Sequence, residues 1–428
     1  MSTQPTVVVV GGGLAGLVAA RHLADGGADV TVLERRSTVG GRVRTVERDG
    51  FQFDRGFQVL FTAYPAVERE LDAESLSLAR FAAGATLARQ GRRSVVADPF
   101  REPRTLPATL FGRDLTIRDG LRLLWLSREL RRTPFEAIFD EPDATIAAFL
   151  EDRGFSRRFR QRFVGPFYGG ITLDRSLSTS ARVFRYTFRA LTLGDTAVPA
   201  DGMGAIARQL ATRAEAAGAA IETGRTVDRV ERALDTVELS TGGETHSADA
   251  VIVATDPPTA RDLTGVDTIP TDGRGCVTQY YSLGGGDLDT GRRLVVNAAT
   301  DAAERGWPNT VAPLSAVAPS YAPDGRTLVS ATFLGMPEAD DEALADRSRR
   351  ALESWFPERR FDELELRHTD RIPFAQFDQP PGVHDTLPDA DAPDGPIYLA
   401  GDYTRWSSIQ GAMASGRDAA NAVLDDLE

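Results

Sequence analysis

Three glycines near the start of the chain have the spacing that phosphate binding requires. Residues 7–10 are a continuous run of valines, typical of a buried strand, and lead directly into Gly11-x-Gly13-x-x-Gly16. Gly11 allows a tight turn, Gly13 lets a pyrophosphate approach bare backbone, and Gly16 lets a helix pack closely on the strand. The free N–H groups at the start of that helix would bind the phosphates.

A second strand completes this unit and ends in a carboxylate. Leu14 and Ala15 begin a stretch with helical spacing. They lie at the N-terminal end of that helix, which is the end that would bind phosphate. Residues 29–33 predict the next strand, and Glu34 follows, where a carboxylate can accept hydrogen bonds from both hydroxyls of an adenosine ribose. Strand, helix, second strand and terminal glutamate together predict a dinucleotide-binding βαβ unit.

The residues after Glu34 narrow the choice of dinucleotide. Arg35 and Arg36 could accept the 2′-phosphate of NADP, but the carboxylate of Glu34 would repel it, so NADP is disfavoured. Gly40-Gly41-Arg42 comes six residues beyond Glu34. This run offers a second close backbone approach and a guanidinium fork that suits pyrophosphate.

The Gly-Gly-Arg run resembles the flavoproteins of the amine oxidase, protoporphyrinogen oxidase and phytoene desaturase superfamily, whose ligand is FAD. The next segment of that superfamily reaches the flavin through its backbone, and it is matched here by Gly56, Phe57, Gln58 and Val59. Val227 resembles the residue whose backbone holds adenine. The resemblance implies that all of these residues, together with Arg35, bind FAD.

The end of the chain resembles the C-terminal FAD box of the same superfamily. A strand leads into Gly401-Asp402, and Asp402 would bind the phosphate and ribityl region. The last helix would offer backbone N–H groups to the flavin pyrimidine from Gln410, Gly411, Ala412 and Met413. We expect FAD to be attached non-covalently, because the single cysteine is remote from this box and no histidine is near either box.

These segments predict an α/β protein with a Rossmann-type FAD-binding domain assembled from discontinuous pieces. We assign residues 1–65, 200–262 and 388–428 to that domain. Residues 66–199 and 263–387 interrupt it and are expected to form a second, α+β substrate domain. In its first piece Thr116-x-x-Asp119 predicts the start of a helix, and in its second piece residues 275–283, 293–298 and 327–334 predict strands.

Composition excludes several other classes of protein. A chain of 428 residues predicts two to three domains, and 62 acidic against 49 basic residues give a net charge of −13 that would repel nucleic acid. One cysteine and four scattered histidines offer no metal site. No apolar run approaches the roughly 20 residues that span a bilayer. A cytoplasmic location is therefore expected, with peripheral contact with a membrane left open.

The chain contains no lysine, and its acidic, arginine-rich composition resembles that of halophilic proteins. The amine oxidase branch generally carries a lysine beside flavin N5, which makes amine oxidation less favoured here. Gly401-Asp402 is nearer to the carotenoid desaturases, so we expect dehydrogenation of a bulky apolar substrate by hydride transfer to flavin N5. Protoporphyrinogen oxidase-like and amine oxidase-like activities are the alternatives, and a non-enzymatic prenyl-binding protein of the same fold ranks below them.

The candidates for the substrate pocket are Phe374, Gln376, Tyr403 and Trp406. No catalytic base is identified. The electron acceptor stays open between oxygen and a quinone.

Residues 121–132 mix leucines, a tryptophan and four arginines. This helix could dock on a membrane that supplies a lipid-soluble substrate. Because its leucines surround the helix, we favour an ordinary substrate-domain helix with a solvated arginine face.

Overall fold

The computed structural model describes residues 4–97, 116–234, 236–284, 286–302 and 305–427, with strands and helices interleaved along the chain. The strands are β1 (Thr6–Val10), β2 (Asp29–Glu34), β3 (Thr45–Arg48), β4 (Phe51–Asp54), β5 (Leu60–Phe61), β6 (Leu78–Arg80), β7 (Ala85–Arg89), β8 (Arg92–Val96), β9 (Thr196–Pro199), β10 (Ala220–Thr223), β11 (Arg229–Arg232), β12 (Val237–Thr241), β13 (Glu244–Ala248), β14 (Ala250–Val253), β15 (Gly273–Leu283), β16 (Leu294–Asn297), β17 (Thr310–Ala312), β18 (Thr327–Leu334), β19 (Glu365–Phe377) and β20 (Ile397–Leu399).

The helices follow the same chain order. They are α1 (Leu14–Asp25), α2 (Pro65–Glu70), α3 (Ile117–Arg132), α4 (Ile146–Asp152), α5 (Arg157–Phe159), α6 (Gly165–Thr172), α7 (Ala181–Leu193), α8 (Gly204–Ala217), α9 (Pro257–Thr264), α10 (Leu314–Val317), α11 (Asp341–Trp355) and α12 (Ile409–Leu427). A π-helical turn (Arg160–Val164) joins α5 to α6, and 3-10 turns lie at Glu136–Ile138, Pro319–Tyr321, Val383–Asp385 and Asp402–Thr404.

Five parallel strands form the sheet that contains both ends of the chain. Their order is β10-β2-β1-β14-β20, so β1 lies in the middle, pairing along its whole length with β2 and through Val7–Val10 with β14. The four valines of β1 are buried, as expected for a strand covered on both faces. This sheet confirms the predicted α/β class with a Rossmann-type domain built from discontinuous segments.

Helices α1 and α12 pack closely beside this sheet because small residues lie between them. A Cβ added at Gly416 of α12 would lie 2.1 Å from the carbonyl oxygen of Ala15 in α1. That distance is shorter than any real carbon contact, so the two backbones can approach this closely only with glycine present. The first and last helices of the chain are thereby held together.

A second sheet of seven strands lies in the other part of the molecule, in the order β19-β15-β18-β17-β16-β7-β8. Its pairs are antiparallel except for β7 with β16. The three strands predicted at residues 275–283, 293–298 and 327–334 correspond to β15, β16 and β18. The division of the chain into a cofactor domain and a substrate domain with the boundaries given above stays a prediction.

Helix α3 begins where the sequence pattern places its start. The Thr116 hydroxyl accepts a hydrogen bond from the Asp119 amide at 3.0 Å, and the Asp119 carboxylate accepts one from the Thr116 amide at 3.1 Å. Ser156 also donates to Asp119 through its amide and hydroxyl. The buried carboxylate of Asp119 therefore joins the start of α3 to the loop before α5.

Two negative findings concern the described residues alone. Within those ranges, every helix is too short or too polar to cross a bilayer. The same part of the chain holds no group of three or more histidine, cysteine, aspartate and glutamate side chains arranged to bind a metal ion.

Gly416→Ala tests the close contact between α1 and α12. Alanine is favoured over glycine inside a helix by about 1 kcal/mol, so helix propensity alone predicts a more stable protein. We expect the opposite, a loss of about 1–3 kcal/mol in the free energy of unfolding, because the new methyl overlaps the Ala15 carbonyl. Urea unfolding measures the change, and Asn421→Ala, at an exposed position of the same helix, is the control. A stabilised Gly416→Ala protein would show that the helices can move apart freely.

Candidate functional site

A cavity of about 2020 Å³ begins at the carboxyl edge of the parallel sheet and extends to α3. Ordinary ligand cavities measure about 300–1000 Å³, so this one can hold a large cofactor and a second bulky molecule. We call the part around Gly11, Glu34 and Arg42 the sheet half. The part around Phe163 and Phe167 is the aromatic half.

The first glycine loop presents bare backbone to the sheet half. Gly11 has a φ of +111°, which favours glycine, and a Cβ there would lie 2.7 Å from a carbonyl oxygen. Gly13 differs, because nothing lies within 4 Å of the position that its Cβ would take. The protein leaves room for a side chain at Gly13, and a ligand pressed against this backbone would explain the glycine. Leu14 and Ala15 line the cavity, whereas Gly16 packs α1 against the Gly11 backbone.

Glu34 is held in one orientation by backbone N–H groups. Its Oε2 accepts a hydrogen bond from Gly12 at 2.8 Å, and its Oε1 accepts one from Arg36 at 2.9 Å. The carboxylate lines the cavity although it is almost fully buried. Arg35, which also lines the cavity, donates to Asp256 at 3.3 Å. A fixed carboxylate of this kind suits recognition of paired hydroxyl groups.

An ion pair joins the two ends of the chain inside the sheet half. Arg42 Nη2 donates to Asp402 Oδ1 at 2.6 Å, and Asp402 Oδ2 accepts from the Ser407 hydroxyl at 2.7 Å. Burial lowers the pKa of Arg42, but the adjacent carboxylate more than offsets this effect, so the pKa lies above its ordinary value. Gly40 and Gly41 line the cavity beside this pair. The Gly-Gly-Arg run and the C-terminal box are therefore brought together.

Three more arginines, Arg36, Arg44 and Arg55, lie near the ion pair. Arg36, Arg42 and Arg55 line the cavity, and Arg44 lies behind them with its Nε buried and without a hydrogen-bond partner. Burial and repulsion by Arg36 and Arg55 lower the pKa of Arg44, and burial and Arg36 likewise lower the pKa of Arg55. Guanidinium groups that repel one another are stabilised by a bound anion, so the residues present fit a pyrophosphate.

The sequence analysis did not include Arg44 and Arg55 among the site residues. They flank the hairpin of β3 and β4, and the amide of Arg55 donates to the carbonyl of Arg44 at 2.8 Å. Antiparallel pairing of two short strands was the signal that could have placed them side by side.

The middle cofactor segments also reach the sheet half. Its lining includes Gly56, Phe57, Gln58, Val59 and Val227. The Gly56 amide donates to Asp370 Oδ2 at 3.1 Å, and the Gln58 side chain donates to the Arg42 carbonyl at 2.9 Å. Gln58 thus holds its own loop against the Gly-Gly-Arg run.

The C-terminal box contributes fewer lining residues than expected. Gly401, Asp402 and Ala412 line the cavity, and Ser408 and Ile409 join them. The other three residues assigned there, Gln410, Gly411 and Met413, do not line it.

Their contacts show why these three residues lie away from the cavity. Gln410 turns its side chain inward to accept a hydrogen bond from the Ala66 amide at 2.8 Å. The Gly411 amide donates to the Ser408 hydroxyl at 2.8 Å, and Met413 is fully buried in the core. Packing of α12 against α2 decides these orientations.

Three of the four substrate-pocket candidates line the cavity. Phe374 and Gln376 do so from β19, and Trp406 does so while packing against Tyr64 at 6.0 Å between ring centroids. The expectation for Tyr403 is not met. Its ring is fully buried, and its hydroxyl donates to the Val253 carbonyl at 2.9 Å, which fixes the end of β14.

A row of phenylalanines forms one wall of the aromatic half. Phe159, Phe163 and Phe167 follow one another at intervals of four residues, with neighbouring ring centroids 5.4 and 5.6 Å apart. Phe184 and Phe188 of α7 continue the wall. The sequence analysis missed this row, although its period of four residues was readable.

Groups that could act as a base are scarce around the aromatic half. Among the described lining residues there is no histidine, and the one cysteine, Cys276, lies near Arg55 of the sheet half, where burial raises the pKa of its thiol to about 11. Burial also raises the pKa of Tyr168. The phenylalanine side of the cavity is therefore apolar, and Cys276 and Tyr168 stay protonated near neutral pH.

Asp54, the last residue of β4, ties four segments together. Its carboxylate accepts hydrogen bonds from the Thr45 hydroxyl at 2.6 Å, the Tyr321 hydroxyl at 2.7 Å and the Met203 amide at 2.8 Å. The Tyr280 hydroxyl donates to its backbone carbonyl. Burial raises the pKa of Asp54 to about 6 even though these donors oppose the effect.

The model of the family described as flavin containing amine oxidoreductase matches residues 14–424. The chain belongs to this family, whose members are flavin-dependent oxidoreductases. The resemblance drawn from the sequence is thereby confirmed at the level of the family.

Individual relatives show which branches are similar. A phytoene dehydrogenase from Streptomyces griseus is 32% identical over 291 residues, 60% of this chain and 56% of that protein. A carotenoid 3,4-desaturase from Haloarcula japonica is 58% identical over 50 residues, 12% of this chain and 10% of that protein. The chain therefore spans little more than half of the first relative and a tenth of the second.

Solved structures agree on the fold. A putative protoporphyrinogen oxidase from Exiguobacterium sp. 255-15 superposes with a TM-score of 0.71 at 17% identity, covering 100% of both chains. At this identity the similarity is evidence for the fold alone.

Asp54→Asn tests the buried carboxyl of Asp54. Because burial raises its pKa to about 6, the folded protein binds more protons than the unfolded chain between about pH 4 and 6. The contribution of Asp54 to the free energy of unfolding therefore falls as the pH rises through that range. We expect the difference in Tm, variant minus parent, to become more positive by roughly 2–4 °C between pH 4 and 7.

Asp262→Asn, at an exposed position of α9, is the control and should show no such trend. A pH-independent difference for Asp54→Asn would mean that the carboxyl of Asp54 keeps its ordinary pKa.

Proposed function

We propose that this protein is an oxidoreductase that binds FAD non-covalently in the sheet half and dehydrogenates a bulky apolar substrate held in the aromatic half. When bound, FAD would supply the hydride acceptor, at N5. The observation that carries the proposal is one continuous cavity whose two halves differ in chemistry: arginines and bare backbone at one end, phenylalanines at the other.

Support for FAD comes from the chemistry of the sheet half. The space in front of Gly13 and the mutually repelling guanidinium groups suit a pyrophosphate. Glu34 is fixed for a ribose by Gly12 and Arg36. Asp402, which is paired with Arg42, is the residue that the family resemblance assigns to the ribityl region, and it would hold that chain when FAD is bound. Covalent attachment of the flavin through a histidine or a cysteine is disfavoured. No histidine lines the cavity within the described residues, and Cys276 is protonated near neutral pH.

Support for an apolar substrate comes from the aromatic half. The phenylalanine row offers flat apolar surface, and an apolar molecule gains about 25 cal/mol for each Å² removed from water. Arg128, Arg131 and Arg132 of α3 line the end of this half. Their positive charge would repel a polyamine, and the chain has no lysine to assist amine oxidation. A polyene or isoprenoid hydrocarbon is therefore the favoured substrate class.

The same arginines favour a second candidate, a protoporphyrinogen oxidase-like activity, because they could pair with the carboxylates of a porphyrinogen. Amine oxidation ranks below it, and a prenyl-binding protein without FAD ranks last because the complete cofactor cradle would then have no purpose. For a lipid-soluble substrate we further propose peripheral contact with a membrane. Oxygen and a quinone stay equal candidates for the electron acceptor.

Non-covalent FAD binding is tested on the purified protein. Acid precipitation should release the flavin into the supernatant. Glu34→Ala should weaken FAD binding by on the order of 1.5–3 kcal/mol, because one charge-assisted hydrogen bond or more is lost. The affinity is measured by titrating the apoprotein with FAD and following flavin fluorescence.

Glu215→Ala is the matched control, since this carboxylate is exposed on α8 and does not line the cavity. Flavin that stays in the acid pellet would contradict non-covalent attachment. A colourless protein that FAD cannot reconstitute would contradict the cofactor itself.

The substrate class is tested by anaerobic mixing of the FAD-loaded protein with three kinds of candidate: phytoene-type carotenoids, protoporphyrinogen, and primary and polyamines. We expect the hydrocarbon to bleach the oxidised flavin band, because it alone suits the phenylalanine wall without a countercharge. Phe163→Ala should slow bleaching by the hydrocarbon at least tenfold through lost contact area. Bleaching by protoporphyrinogen alone would promote the second candidate, and bleaching by an amine alone would overturn the preference for apolar substrates.

A further inference from the structure

Helix α3 carries apolar side chains on two opposite faces. Its inner face is buried through Leu126 and Leu130, which pack in the core of the substrate part. On the outer face Ile117 is 65% exposed, Leu121 55%, Leu124 42% and Trp125 71%. The leucines surround the helix as the sequence indicated, and its exposed side carries large apolar side chains beside the arginines.

The exposed apolar residues form one continuous line. Positions 117, 121, 124, 125, 128 and 132 follow helical spacing, so their side chains lie on the same side of α3. The last two are Arg128 and Arg132. We call these six residues the outer stripe. Large apolar side chains concentrated on one exposed helix face mark a contact surface more often than chance exposure does.

The charges around the outer stripe have the sign opposite to that of the whole protein. Arg118, Arg128, Arg131 and Arg132 are exposed on α3, and no ion pair joins them to a carboxylate in the described part of the chain. The one exposed acid on the helix, Glu129, is paired with Arg153 at 2.8 Å. A protein with a net charge of −13 thus presents a positive patch around an apolar line.

The outer stripe also lies at the open end of the cavity. Ile117, Leu121, Leu124 and Trp125 line it while remaining exposed, so the aromatic half reaches the surface along α3. A surface that seats on the outer stripe would cover this opening.

From these observations we infer that the outer stripe is a docking surface for an anionic lipid bilayer, with α3 lying in the plane of the headgroups. This inference deepens the proposed function and rests on it for the identity of the molecule that passes. Leucine, isoleucine and tryptophan side chains enter the interfacial region, and arginines beside them bind anionic headgroups. When α3 is docked in this way, the cavity opens directly towards the acyl chains. An apolar molecule then reaches the cavity without crossing water.

A second copy of the chain fits the outer stripe less well. A symmetric dimer would bring the same patch of each copy together and so concentrate the arginines of both copies at one interface. Like charges brought together at an interface are destabilising. Anionic lipid neutralises these charges instead.

Co-sedimentation with vesicles tests the docking surface on the FAD-loaded protein without substrate. We expect binding to vesicles of equal parts phosphatidylcholine and phosphatidylglycerol, and little binding to phosphatidylcholine alone. The double variant Leu121→Ser/Trp125→Ser should bind at least tenfold more weakly. Arg128→Gln/Arg132→Gln should weaken binding roughly fivefold for each arginine removed, and high salt should weaken the parent protein in the same way.

Leu234→Ser is the matched control, because Leu234 is 95% exposed on the hairpin of β11 and β12, outside the stripe. It should bind like the parent protein. An unchanged flavin content and Tm show that each variant is folded, and the arginine variants remain informative if the double serine variant is not.

Three results would overturn the inference: no binding of the parent protein to either vesicle, equal binding by the stripe variants and the parent, or a dimer that Trp125→Ser dissociates in the absence of lipid binding. Vesicle binding needs no substrate, so its failure leaves the proposed reaction standing. Flavin that no apolar substrate bleaches would refute the reaction and leave the docking surface standing.

Discussion

The ion pair between Arg42 and Asp402 joins segments 360 residues apart in the chain, and the cavity depends on their meeting. A parallel sheet makes this possible because its strands all end at the same edge. β1, β2, β14 and β20 end there, and each passes into a loop that forms part of the sheet half. The close packing of α1 on α12 then fixes the distance between the two ends. Without this convergence the glycine loops would be separate turns and not one cradle.

Local sequence patterns were sufficient for the elements whose role is set by their own backbone. Gly11, Gly13 and Glu34 lie where the βαβ pattern puts them, because turn, helix start and strand end are defined within a few residues. Thr116 and Asp119 cap α3 for the same reason.

Side chains whose direction depends on distant packing could not be placed in this way. Tyr403 and Gln410 belong to a recognisable motif, yet each turns inward to satisfy a backbone group, from Val253 and Ala66 respectively. Arg55 reaches the cavity only because a hairpin folds it back beside Arg44. The bonds of Asp54 to Met203 and Tyr321 span separations of 149 and 267 residues, which no local pattern contains.

Strand β1 is the middle of the parallel sheet, but β20, at one edge of that sheet, lies about 390 residues later in the chain. At about 5–20 residues per second, a ribosome needs roughly 20–80 s to make the intervening chain. Until synthesis reaches β14, the valines of β1 can pair only with β2, and β14 in turn waits for β20. The newly made N-terminal segment therefore waits with one edge of β1 unpaired, and the ion pair of Arg42 forms only after synthesis has passed Asp402.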